Sequence, residues 1–109
     1  MATVRPMPQP AAEDPVKVDP RHYKVEFENE RVRVLRISYG PGEKSLMHGH
    51  PETIATFLTD CHFKFTYPDG RTEDIKEAAG TVRHFDAFTH LPEELSNTRF
   101  EAIAVELKR

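Results

Sequence analysis

Apolar and polar residues alternate with a period of two over most of this chain. "HYKVEFE" at 22–28 sets Tyr23, Val25 and Phe27 against polar neighbours, the spacing of a half-buried strand. "RVRVLRISY" at 31–39 repeats the pattern with Val32 and Val34 between Arg31 and Arg33, and Asn29-Glu30 turns the chain between the two. Gly40-Pro41-Gly42 signals a loop. "TIATFLT" at 53–59 is apolar at both parities, with Ile54 and Leu58 on one face and Ala55 and Phe57 on the other, as in a strand covered on both sides. "HFKFTYPDGRTEDI" from 62 predicts a hairpin with Phe63, Phe65 and Tyr67 on one face and Pro68-Asp69-Gly70 as its turn. "TVRHF" at 81–85 and "EAIAVELK" at 101–108 complete the set; the second carries Ile103, Val105 and Leu107 on one face and Ala102 and Ala104 on the other. No stretch has a sustained 3.6 period, and "PEEL" at 92–95 is at most one turn. Short strands at about eight- to twelve-residue spacing predict an all-β sandwich or barrel.

The first twenty residues break the pattern. Pro6, Pro8, Pro10, Pro15 and Pro20 are five of the nine prolines, and each fixes φ and removes a backbone donor. Residues 1–20 are expected to form an extended arm without regular helix, in which Val16-Lys17-Val18 pairs at a sheet edge or lies on a partner subunit; residues 21–109 form the domain.

Composition narrows the function classes. With 109 residues one domain is expected. A net charge of −3 without a basic cluster argues against a nucleic-acid or anionic-membrane partner. Cys61 is the one cysteine, so no disulfide closes within the chain. No apolar stretch approaches membrane-spanning length, and "MATVRPMPQPAAEDP" lacks the apolar core of a leader. A cytoplasmic protein is expected.

The chemistry lies in "LMHGHPE". In a strand, residues two apart share a face, so His48 and His50 project together and can both reach one ion at about 2.0–2.1 Å. The same spacing also suits hydrogen-bonded surface histidines. His84 shares a face with Val82 and points inward if Val82 does, which would make it a further ligand or a general acid/base. Glu52 is a candidate substitute carboxylate ligand. His22 and His62 share faces with Lys24 and Lys64 and read as surface residues. Glu93 and Glu94 read as a solvated turn, and Cys61 as a small buried filler.

Gly42, five residues, and then His48-Gly49-His50 have the layout of the first cupin motif. "AAGTVRHFDAFTHLPEELSNT", with Gly80, the Asp86-Ala87-Phe88 corner and His90, resembles the second. The chain thus resembles the small single-domain cupins over roughly residues 22–107. Some look-alikes carry the name β-alanine degradation protein. Several positions depart from the motifs: Ile54 stands where a glutamate ligand is usual, Cys61 replaces a glycine, Asp86 a proline, Phe88 a glycine and Glu94 an asparagine.

The resemblance implies a cupin double-stranded β-helix, a jelly-roll barrel whose interior holds a divalent metal on His48, His50 and His90. Diketone- and thiol-oxidising cupin dioxygenases use three histidines without a carboxylate, which favours Fe(II); Zn, Mn and Ni also suit the donors. Three neutral ligands leave the ion's charge uncompensated and favour a small anionic substrate. Ile54, Leu58, Phe65 and Phe88 are expected to line the pocket, with His84 as a catalytic acid/base. A homodimer is expected, covering an outer face assigned to Ala55, Phe57, Ala102 and Ala104. The alternatives are a metal-dependent lyase or isomerase, a non-catalytic metabolite binder, and a structural dimer with remnant ligands.

Overall fold

The computed structural model describes residues 13–108. Among these residues nine strands form two antiparallel sheets. The larger has the order β1-β2-β9-β4-β7, with β1 at Tyr23–Glu28, β2 at Val32–Tyr39, β9 at Phe100–Leu107, β4 at Thr53–Phe57 and β7 at Val82–Phe85. The smaller has the order β3-β8-β5-β6, with β3 at His48–His50, β8 at Phe88–Glu94, β5 at Cys61–Thr66 and β6 at Thr72–Glu77. The two inner faces enclose the core, in which Leu35, Tyr39, Phe63, Ile75 and Phe100 are buried. Tyr39 packs edge-on against Phe63, with ring centroids 5.0 Å apart, and Phe63 against Phe100 at 4.7 Å.

The period-two reading finds the strands, but the structure reverses one face assignment. Along β4, Thr53, Ala55 and Phe57 are buried while Ile54 is exposed. The chain leaves the smaller sheet after His50 and joins the larger one at Thr53. The alternation restarts across the Pro51-Glu52 corner, so inward positions change from even to odd. Along β9, Phe100, Ala102, Ala104 and Glu106 face inward. Ala55, Phe57, Ala102 and Ala104 are therefore core and not the outer face. The outward face instead carries a cross-strand apolar row: Phe27 opposite Val34, Val34 opposite Val105, and Val105 opposite Ile54.

Two other segments differ from expectation. "PEE" continues β8, where Pro92 is buried and pairs with Phe65. Of the expected arm, residues 1–12 lie outside the described residues, and Pro15–Val18 form one helical turn, α1, instead of an extended edge strand. Pro15 occupies the first helical position, where its missing N–H would be unsatisfied in any case. The Asp14 side chain caps the turn by accepting from the Val16 N–H at 3.0 Å. The motif glycines have a local cause as well: Gly42 and Gly80 have φ of 70° and 89°, values that side chains disfavour.

Candidate metal centre

β3 and β8 pair in antiparallel register, with His48 opposite His90 and His50 opposite Phe88. Histidines from two distant segments thereby become cross-strand neighbours on the inner face. All three are buried, and one side-chain nitrogen of each lies within 4.8 Å of the others. The His48 and His90 rings are near-perpendicular with centroids 4.8 Å apart, and those of His50 and His90 lie 5.2 Å apart.

Their hydrogen bonds fix which nitrogens are free. His48 Nδ1–H donates to the Leu46 carbonyl at 2.8 Å. His50 Nδ1–H donates to Glu106 Oε2 at 2.9 Å. A carbonyl and a carboxylate can only accept, so in their neutral forms both rings present lone pairs at Nε2. Those Nε2 atoms face each other at 3.1 Å. Neither nitrogen of His90 has a hydrogen-bond partner, although both are buried. Burial, then the neighbouring His50, lowers the His48 pKa from 6.5 to about 4; burial, then His50 and His48, holds His90 well below its ordinary value. Converging lone pairs and an orphaned buried imidazole fit a divalent cation: the three histidines can hold one.

Sequence reasoning missed the supporting residues. Glu106 is buried and accepts from His50 and from Arg33 Nε, the latter at 2.8 Å. His22 is buried against Tyr39, its ring stacked at 4.0 Å, and is not a surface residue. Glu94 is buried as well, not a solvated turn residue. The inward phase set by Phe100, Ala102 and Ala104 continues to Glu106, which is the signal that could have found it.

Beside the histidines lies a cavity of about 60 Å³, lined among others by Tyr23, Thr53, Phe65, Phe88 and His90. Phe65 and Phe88 are among its lining residues, each edge-on to His90 with centroids at 4.3 and 4.5 Å. Ile54 and Leu58 do not: they are 37% and 45% exposed, on the far side of the sheet. His84 is also outside. It lies opposite Ile54 on the outward face and bonds Glu52 Oε2 at 2.7 Å, which removes it as an acid/base at this centre and engages Glu52 away from it. A wider basin, lined by Arg33, His50, Pro51 and Phe88 among others, opens next to the centre. Tyr23 stands over His48, with centroids 4.7 Å apart, and its hydroxyl bonds that of Tyr39 at 2.7 Å. Burial raises the pKa of both phenols, so both stay protonated.

No protein-family model and no curated protein matches the chain. Solved structures do. A cupin domain from Bordetella pertussis Tohama I aligns over 95% of this chain and 100% of its own, with 22% identity and a TM-score of 0.73. An RmlC-like cupin with a double-stranded β-helix fold from Methanocaldococcus jannaschii aligns over 94% of each chain, with 18% identity and a TM-score of 0.59. The polyketide cyclase RemF from Streptomyces resistomycificus aligns over 80% of this chain and 64% of its own, with 16% identity and a TM-score of 0.58. The β-alanine degradation name has no support among these. No helix among the described residues is long and apolar enough to cross a membrane. The chain has the fold of a small cupin, a double-stranded β-helix, with a buried three-histidine group in its interior.

Proposed function

We propose that the protein is a metal-dependent cupin enzyme that binds one divalent ion on His48, His50 and His90 and acts on a small anionic, oxygen-bearing molecule. One observation carries this reading: two imidazole lone pairs converge at 3.1 Å beside a third, unpartnered buried imidazole. An ion held there supplies Lewis acidity and, as Fe(II), oxygen activation. The dioxygenase reading leads because the ligand set has no carboxylate.

The chain's own residues do the rest. Glu106 and the Leu46 carbonyl hold His50 and His48 in the ligating tautomer. Phe65 and Phe88 keep the reacting end dry. The cavity lining contains no lysine or arginine, so an anion depends on the ion for its charge partner. A volume of about 60 Å³ admits only the reacting end of a substrate, since a liquid water occupies about 30 Å³; the remainder lies in the basin beside Phe88. The Tyr23 hydroxyl, bonded to that of Tyr39, belongs to a side chain that lines the cavity. That placement, with the shared fold of a polyketide cyclase, favours a lyase, isomerase or cyclase as the second reading.

The test is metal content of the purified protein, followed by titration with Fe(II), Mn(II), Ni(II) and Zn(II). One ion per chain is expected. Oxygen consumption with β-dicarbonyls, thiols and small hydroxy acids then separates the two readings. A chain that takes up none of the four ions overturns both.

We read the protein as a homodimer, with the row Phe27, Val34, Val105 and Ile54 as the covered face, and as cytoplasmic, in keeping with its one cysteine, which is buried.

A further inference from the structure

Residues 13–22 cross the barrel beside the histidines, and two separate polar chains run from this segment to the two ligands on β3. The first starts at Asp14. Its carboxylate accepts from both terminal nitrogens of Arg33, at 2.9 and 3.0 Å, the bidentate geometry that fixes a guanidinium in place. The same guanidinium donates from Nε to Glu106 Oε1, and Glu106 Oε2 receives the His50 Nδ1–H. The second starts at Asp19, which is buried and accepts from His22 Nδ1–H at 2.7 Å and from the Ser45 hydroxyl. The Ser45 oxygen in turn lies 3.3 Å from His48 Nδ1, sharing that proton with the Leu46 carbonyl. His22 is fixed from its other side by Glu43, at 2.9 Å from Nε2. Between the two anchors the segment is stiffened by the α1 turn, and just before Asp14 it is tied to β3 by the Gly49 N–H donating to the Glu13 carbonyl at 2.9 Å.

We infer that this segment is a strap that sets metal affinity, with Asp14 and Asp19 as positioning residues acting through Arg33-Glu106 and Ser45 on His50 and His48. The inference rests on the metal reading above and extends it to residues that touch no ion. The physical reason is directional. An imidazole binds an ion well only when its ring is held in one tautomer and one orientation, and groups that hold the far nitrogen control both. Glu106 without Arg33 would be a buried carboxylate lacking its cation, free to turn away from His50. Ser45 without Asp19 would lose the acceptor that orients its hydroxyl.

The experiment is Co(II) titration of the full chain, read by its visible absorption, for the wild type, Asp14→Ala, Asp19→Asn and the double variant. Asp19→Asn is expected to weaken Co(II) binding roughly tenfold to a hundredfold. Asp14→Ala, one bond further from its histidine, should weaken it less, and the double variant more than either. Each is expected to change the absorption band, because the ligand rings reorient; a purely structural loss would lower the melting temperature and leave the band of the bound ion unchanged. Ser45→Ala carries the same test if Asp19→Asn does not fold. Wild-type binding with unaltered affinity and spectrum in all variants overturns the strap's role alone. A wild type that binds no Co(II) removes the metal reading and the strap's role with it.

Discussion

The barrel interior has two ends built on opposite terms. At one end Tyr39, Phe57, Phe63 and Phe100 interlock with near-perpendicular or tilted rings, beside a single unsatisfied polar atom, Oε2 of the buried Glu94 opposite Phe63. At the other, three histidines and a glutamate are equally buried, and both nitrogens of His90 lack partners. The first end lowers the free energy of folding by removing apolar area from water. The second raises it, because a buried polar atom without a partner costs about 1–3 kcal/mol. The aromatic end carries most of the apolar packing and the histidine end most of the unsatisfied polar atoms, so the two respond differently to substitution.

The largest effect should come from the aromatic end. Phe63→Ala should reduce unfolding free energy by about 3–5 kcal/mol, measured by urea denaturation. A loss below about 1 kcal/mol would mean that this end is not what holds the sheets together. The histidine end should respond in the opposite direction. His90→Leu removes two orphaned nitrogens, so the metal-free protein should gain on the order of 1–2 kcal/mol while losing its divalent ion.

The same comparison can be read through pH. His48 and His90 stay neutral in the fold at pH values where unfolded histidine takes up a proton. The unfolded chain therefore binds more protons, and stability falls as pH drops from about 6.5 towards 4. His90→Leu should flatten part of that slope, seen in melting temperatures across the window; an unchanged slope would assign it to other groups. The smallest effect belongs to neither end. Ile54→Glu lies on the outward face, so metal affinity and fold should stay as in the wild type, while sedimentation should show the proposed homodimer weakened. Metal binding altered by this change would contradict the strand phase described here.

Much of the fold is legible from alternation alone, because a half-buried strand must repeat every two residues. The three histidines are legible for a related reason: the spacing of His48 and His50 fixes a shared face, and the second motif supplies His90. What failed was phase. Ile54 and Leu58 line the pocket only if β4 keeps the phase of the cupin motif, whose glutamate position is Ile54, but a corner where the chain changes sheets resets that phase. His84 points inward only if its neighbour Val82 does, and Val82 is 62% exposed. Asp19, His22 and Ser45 were illegible for a different reason. Their roles depend on contacts between segments tens of residues apart in sequence, and each looks like an ordinary loop or surface residue until the chain is folded.

The two-residue corner at Pro51-Glu52 has one more consequence. Strand faces alternate with every residue, so gaining or losing a single residue there would leave His48 and His50 on their own strand but turn β4 inside out, exposing Phe57 and burying Ile54. Length at this corner is therefore constrained as well as sequence: with the bend made here, only an even number of residues keeps the histidine-bearing sheet and its neighbour facing the same interior.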